Sequence, residues 1–279
     1  WGFVDFNRPM VAINQWEQAE DSMYTLCGKD RIHPSTDGHL VMAYLFLKAQ
    51  GLAGKPVADI RIDGAGKKVT RSDNCRVSDL SVSSDNLTFT YEAKSLPYPI
   101  DTSYYDNEKH TQADALSVIP FMDEMNYEGL SVSGLSDGYY GLTIGREFIG
   151  RFTARELERG INMALLQNTP QYKQAMKIRQ MNEERWLKER KMREFYWVEY
   201  NLMRKTGMLW ACNEAAVDTL RKYRPHDIFL QWNGDLWLQY MHKGIREDCV
   251  NEQQDLVNQI YEQNKPIPLR IEIKKFTDL

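Results

Sequence analysis

Asp30–Ala49 reads DRIHPSTDGHLVMAYLFLKA. Its second half is almost wholly apolar from Leu40 to Ala49, too long for a typical strand. Ser35 or Asp37 stands ready as an N-cap and Gly51 as a C-terminal stop, so the pattern predicts a buried helix. The first half puts Asp30 three residues before His33 on a loop that ends at Pro34. A neutral histidine removes a hydroxyl proton only if its other ring nitrogen is held as a donor, and a nearby carboxylate can hold it. Asp30 and His33 are therefore the candidate catalytic residues. His33 would be the general base toward a serine and then the general acid toward the leaving alcohol, with Asp30 orienting it. His39 has no neighbour spaced to orient it and reads as a structural residue at the helix start.

On the N-terminal side, Phe3 to Phe6 predicts a short strand entering a loop at Asn7-Arg8-Pro9, where the proline blocks further pairing. One strand and a loop cannot cover a helix as apolar as Leu40 to Leu47. Residues 1–52 are thus not expected to close a domain by themselves. The cover for Leu40, Tyr44 and Leu47 must come from later regions, another chain or an upstream segment.

Asp30-Arg31-Ile32-His33-Pro34, followed by Gly38-His39-Leu40 and the apolar helix, resembles the final block of the SGNH (GDSL) serine hydrolases. The resemblance covers roughly residues 1–52, including Val4-Asp5-Phe6 and Pro9-Met10. It implies the C-terminal part of a flavodoxin-like, three-layer α/β fold, a serine esterase mechanism without cofactor or metal, and Asp30 with His33 as two members of a triad. The family also needs a Gly-Asp-Ser nucleophile and oxyanion donors from earlier blocks. Only 29 residues precede Asp30, so the serine is expected upstream of this chain, on a fragment of the same gene product. Asp21-Ser22 lacks a leading strand and glycine and reads as a helix or turn serine. Asn233-Gly234-Asp235, beyond the pair in sequence, also reads as a turn.

Downstream, Ser95-Leu96-Pro97-Tyr98-Pro99, Gly134-Leu135 with Tyr140-Gly141-Leu142, and Gly160-Ile161-Asn162-Met163-Ala164 resemble an extension that follows the hydrolase domain in some bacterial GDSL-like proteins. This implies export, secreted or periplasmic, and an acylated carbohydrate or other small-molecule ester as substrate. The alternative is a non-catalytic binding or scaffolding protein with a decayed hydrolase remnant.

Beyond Gly51 to Pro56 the apolar period becomes two. Ile60 and Ile62, Leu80 and Val82, and Leu87, Phe89 and Tyr91 predict half-buried antiparallel strands, with Asp63-Gly64-Ala65-Gly66 as a hairpin turn. Leu130 and Val132 are expected to pair with Tyr140, Leu142 and Ile144 across Ser136-Asp137-Gly138. Thr153 and Glu156 form a capping-box pattern for a helix carrying Leu157, Ile161 and Leu165 inward. A long polar-faced helix runs from Pro170 to about Lys205. Further helices cover Leu209 to Tyr223 and Val250 to Gln263, and Ile267, Leu269, Ile271 and Ile273 alternate as a last strand. The expected organisation is an α/β hydrolase remnant over 1–54, a β-rich accessory region over 55–153 and a helical region ending in a strand over 154–279. Together the last two form an α+β part with antiparallel strands and long helices.

The 279 residues, 42% of them hydrophobic, suffice for a sizeable core. A net charge of -4, with 35 basic and 39 acidic residues spread along the chain, points away from nucleic acid. No apolar run reaches the roughly 20 residues of a membrane span. Phosphate loops, metal-ligand clusters and dinucleotide fingerprints are absent. Cys27, Cys75, Cys212 and Cys249 form no Cys-x-x-Cys pair and read as free thiols, although two disulfides stay open as an alternative. Trp186, Trp197, Trp210, Trp232 and Trp237 offer either a sugar-stacking platform or inter-helix packing, and helical spacing favours packing.

Overall fold

A computed structural model describes residues 2–103 and 110–276. The fold is mixed α/β, with one parallel strand pair in an otherwise antiparallel framework and long helices toward the C-terminus. By compactness it divides into Trp1–Ala175 with Lys265–Leu279, and Met176–Asn264.

The first unit begins with helix α1 (Asn7–Glu17) and helix α2 (Thr36–Ala49). The expected strand at Phe3 to Phe6 is not formed. Phe6 stands at the N-cap of α1, Arg8 N–H donates to Asp5 Oδ1 at 3.2 Å, and Pro9 lies in the first turn. A proline there costs nothing, because its missing N–H would have no intrahelical partner. The α2 helix runs as expected, from Ser35 at its N-cap to Gly51 with φ +71 just past its end.

The strands are β1 (Ala58–Asp63), β2 (Lys68–Asp73), β3 (Cys75–Val82), β4 (Asn86–Ala93), β5 (Glu128–Ser133), β6 (Tyr139–Ile144), β7 (Glu147–Thr153), β8 (Ile161–Asn162) and β9 (Leu269–Lys275). They form two sheets, ordered β2-β1-β5-β8 and β3-β4-β9-β6-β7. The turn at Asp63 to Gly66 closes the β1–β2 hairpin, and β4 pairs antiparallel with β3 as expected. The expected β5–β6 hairpin does not form. Instead β5 runs parallel to β1 in one sheet, and β6 pairs with β7 and β9 in the other. Both strands alternate, so their pattern marked them as strands without naming their partners. Inward residues of both sheets, among them Ile60, Val132, Phe89, Leu142 and Ile271, share one apolar core.

Two short helices lie among these strands, α3 (Phe121–Glu124) and α4 (Ala154–Arg159). The capping box at Thr153 and Glu156 is formed, but α4 stops at Gly160. Leu157 is buried as expected, Ile161 belongs to β8, and Leu165 is exposed. The inner face of α2, with Leu40, Val41 and Tyr44, packs on Leu26, Ile100, Ala115, Ile119, Phe121 and Met122. Cover for that face therefore comes from the same chain. Tyr44 and Lys48 also reach Glu124 at 2.8 Å each, fixing α2 to α3. The outer face is different: Phe46 and Ala43 are exposed there.

Glu128 is fully buried on β5, accepting from Tyr91 Oη at 2.8 Å and Gln171 Nε2 at 3.2 Å. Burial raises its carboxyl to about 7, and these two donors only partly offset the desolvation. A carboxyl raised from its ordinary range near 4.5 lets the native state hold more protons than the unfolded chain between those pH values. Its contribution is fully present below about pH 4.5 and is lost as pH rises through about 7, a change on the order of 3 kcal/mol. Glu128→Gln should flatten this part of the profile. Urea unfolding at pH 5 and pH 8 checks it, and an unchanged slope in the variant would assign the pH dependence to other groups.

The second unit is built from α5 (Pro170–Val198), which continues through a π-helical turn at Glu199–Met203, and from α6 (Glu214–Tyr223), α7 (Ile228–Tyr240) and α8 (Lys243–Gln263). The helix expected from Leu209 starts only at Glu214, because Asn213 is the cap, accepting from Ala216 N at 3.0 Å. Its core gathers Phe195, Val198, Leu220, Leu230 and Trp237. The buried Glu199 explains the π turn in part: it accepts Trp237 Nε1 at 2.8 Å and the backbone N–H of Trp210 at 2.8 Å. The Asn233-Gly234-Asp235 segment is helical, not a turn, and lies within α7. Gly234 leaves room there for the Arg224 side chain, which pairs with Asp235 at 2.6 and 2.7 Å.

Candidate active site

The loop from Leu26 to Ser35 is closed by its own backbone before any side chain acts. Cys27 and Pro34 form an isolated antiparallel bridge, Gly28 N–H donates to His33 O at 2.7 Å, and Arg31 N–H to Gly28 O at 2.9 Å. Arg31 takes a positive φ of 57 at the tip. Asp30 then fills the turn, its Oδ1 accepting from Ile32 N at 2.9 Å and His33 N at 3.1 Å. This is the local carboxylate-to-backbone bonding that favours Asp in turns.

The other oxygen, Oδ2, meets His33 Nδ1 at 2.5 Å. Sequence reasoning paired these two residues, and the structure brings them together. The hydrogen bond from His33, followed by the two backbone N–H groups, holds the Asp30 carboxyl down at about 2. Asp30 is therefore an anion at any ordinary pH and keeps Nδ1 of His33 as the donor. Nε2 has no hydrogen-bond partner among the described residues, and the His33 side chain is 83% exposed. Asp30 and His33 thus have the arrangement in which a carboxylate holds one imidazole nitrogen as a donor and the other nitrogen is left open to solvent.

The loop is anchored to its surroundings by residues that the sequence marked only as caps or not at all. Asn14 of α1 accepts Leu26 N–H at 3.0 Å, and Gln18 donates to Tyr24 O at 2.8 Å. Leu26 O accepts Ser35 N–H at 3.0 Å and lies 3.0 Å from Ser35 Oγ. Ser35 Oγ also contacts the buried Asp37, which accepts Gly38 N–H at 2.8 Å. His110 also approaches Asp37, with Nδ1 at 3.7 Å from Oδ2. No local spacing pointed to His110, which reaches this place only through the fold. His39 stands at the helix start with Nδ1 3.4 Å from Ser35 O. The Asp21-Ser22 segment is a turn, with Asp21 Oδ1 accepting from Met23 N at 2.9 Å.

Large apolar side chains crowd the same part of the chain without cover. Phe3, Trp16, Met23 and Ile32 are each at least 70% exposed, and Phe46 is 46% exposed. All five belong to the segment that carries His33.

Among the described residues no three His, Cys, Asp or Glu side chains are grouped to hold a metal. No helix among them is long and apolar enough to cross a membrane. All four cysteines are free.

Residues 176–265 match the family model described as the diltiazem deacetylase C-terminal helical domain. The chain as a whole is similar to a solved structure described as BT4096, a gut microbial diltiazem-metabolizing enzyme. The likeness covers 99% of this chain, with 42% identity and a TM-score of 0.93. The chain spans 62% of that protein's length. None of the curated proteins matches it.

Proposed function

We propose that this chain supplies the acid–base pair of a serine esterase that removes small acyl groups, with Asp30 as orienter and His33 as general base. The observation that carries the reading is the 2.5 Å contact between His33 Nδ1 and an Asp30 carboxylate held near 2, with Nε2 left open. In this reading the nucleophilic serine and the oxyanion donors come from a segment upstream of Trp1. The uncovered Phe3, Trp16, Met23, Ile32 and Phe46 form the seat of that segment. More than a third of the diltiazem-metabolizing protein has no counterpart in this chain, which is ample length for such a segment.

The mechanism follows from the pair. His33 Nε2 takes the serine proton as the hydroxyl attacks the ester carbonyl, and the imidazolium that forms is stabilised by Asp30. It then donates the proton to the leaving alcohol, and a water repeats the sequence to release the acid. The likeness to a diltiazem-metabolizing enzyme and to a deacetylase helical domain supports an acetyl ester as the acyl class. The alcohol side is proposed as an acylated carbohydrate or another small secondary metabolite, and the site of action as exported, secreted or periplasmic.

A second reading, a non-catalytic binding protein, is favoured by one observation: among the described residues no serine hydroxyl bonds to His33. A fluorophosphonate probe on the full gene product separates the two. The esterase reading expects covalent labelling of one serine together with release of acetate from p-nitrophenyl acetate. Failure to label under conditions that label a control esterase would leave the binding reading.

A further inference from the structure

We infer that the helical unit Met176–Asn264 carries a carbohydrate-binding groove lined by Trp197 and Tyr223. Asp30 and His33 belong to the other unit of the chain, and the inference stands whether or not the esterase reading does.

The five tryptophans singled out in the sequence do not share one environment. Trp237 is fully buried and bonded to Glu199, so for that residue packing is the whole account. Trp197 instead lines, with Tyr223, a cavity of about 370 Å³, within the range of small-ligand sites. Its ring is followed outward by Phe229, with centroids 5.2 Å apart, and then by Trp232 at 5.4 Å. Trp232 is 67% exposed and Phe229 47%. A row of aromatic rings leading from a cavity into solvent is expensive to leave wet and marks a surface that meets a ligand.

The polar groups decide which ligand. Leu202 and Leu230 give the cavity an apolar lining, while Asn201, Lys205 and Asp227 supply donors and acceptors. Asn201 donates Nδ2 to Trp197 O at 3.0 Å, which leaves Oδ1 to accept. Asp227 spends Oδ1 on the N–H groups of Phe229 and Leu230 as the cap of α7, which leaves Oδ2. Among the described residues neither Asp227 Oδ2 nor Lys205 Nζ has a hydrogen-bond partner.

Lys205 and Asp227 put a cation and a carboxylate in the same cavity, beside the polar side chains of Thr206 and His226. A lipid or hydrocarbon would desolvate both groups with nothing in return, and an anionic ligand would face Asp227. A sugar ring fits both halves of the lining. Its C–H face stacks on an aromatic ring, and its hydroxyls donate and accept at the edge. The outward row at Phe229 and Trp232 offers contact to further rings of a chain.

Affinity electrophoresis of the full chain through gels containing arabinoxylan, galactomannan, pectin, levan or mixed-linkage glucan tests this, with serum albumin as the mobility reference. At least one polysaccharide should retard the protein. Tyr223→Ala and Trp197→Ala should each weaken binding at least about tenfold, and Trp232→Ala less. Tyr223 and Trp232 are exposed, so their variants keep the test open if Trp197→Ala fails to fold. The inference is overturned if none of the polysaccharides retards the chain, or if retardation survives both Tyr223→Ala and Trp232→Ala. Tight binding of 8-anilinonaphthalene-1-sulfonate that no sugar displaces would overturn it too, in favour of an apolar ligand.

Discussion

His33→Ala, made in the full gene product, should abolish ester turnover while leaving the unfolding midpoint almost unchanged. The side chain is 83% exposed, so its removal costs little stability. In the proposed mechanism, what is lost is the proton acceptor for the serine and the donor for the leaving alcohol. Asp30→Asn should lower kcat by up to roughly 10⁴, the scale found where an orienting Asp of a serine triad is made neutral. The amide would present an N–H to Nδ1 and leave the imidazole in the wrong tautomer. Asp30 also accepts two backbone N–H bonds in the turn, so Asp30→Ala should cost loop order as well as rate. Steady-state kinetics with p-nitrophenyl acetate, alongside thermal unfolding, reads both effects. Near wild-type turnover in either variant would remove the pair from the mechanism.

Gly38→Ala is expected to be the most disruptive single methyl in the first unit. A Cβ at Gly38 would stand 2.0 Å from the Leu26 carbonyl oxygen and 3.3 Å from Pro34 Cβ. That carbonyl accepts from Ser35, so it cannot retreat without breaking the anchor of the loop that carries Asp30 and His33. The clash should cost about 3 kcal/mol of stability, the upper range for overpacking. In the folded protein it should also displace Asp30 and His33, and under the proposed esterase function a shift of about 1 Å there can cost on the order of 100-fold in rate. Gly28→Ala is the internal control, because its Cβ would meet only ordinary contacts at 3.7 and 3.9 Å. Equal stability of the two variants in urea would show that the Leu26–Gly38 approach is not the anchor.

The likeness to the diltiazem-metabolizing enzyme and the geometry of the loop bear on different questions. The first places an overall fold beside a known one at 42% identity over nearly the whole chain. The second is internal to this molecule and concerns what two side chains can do. The esterase proposal draws its chemistry from the second and its acyl class from the first.

The sequence by itself determined those features whose causes lie within a few residues. The Asp30 turn is one, since its bonds reach only to Ile32 and His33. The helix after Ser35, the capping box at Thr153 and Glu156, and the β1–β2 turn are others, each set by neighbouring side chains. Strand alternation was equally legible at β4, β6 and β9, because it depends only on which face is apolar.

Tertiary structure alone decided what those elements meet. Alternation in β5 is compatible with any partner, and only the assembled sheets set it parallel to β1 while β9 entered between β4 and β6. The Phe3 to Phe6 segment had the composition of a strand, yet none of the described strands pairs with it, and it leads into α1. His110 beside Asp37, and Gly38 against Leu26, depend on close approaches that no local spacing encodes. The tryptophans had one helical spacing and met different fates, Trp237 in the core and Trp232 in solvent. Helical period fixes which residues share a face, whereas which face is covered depends on the neighbouring helices.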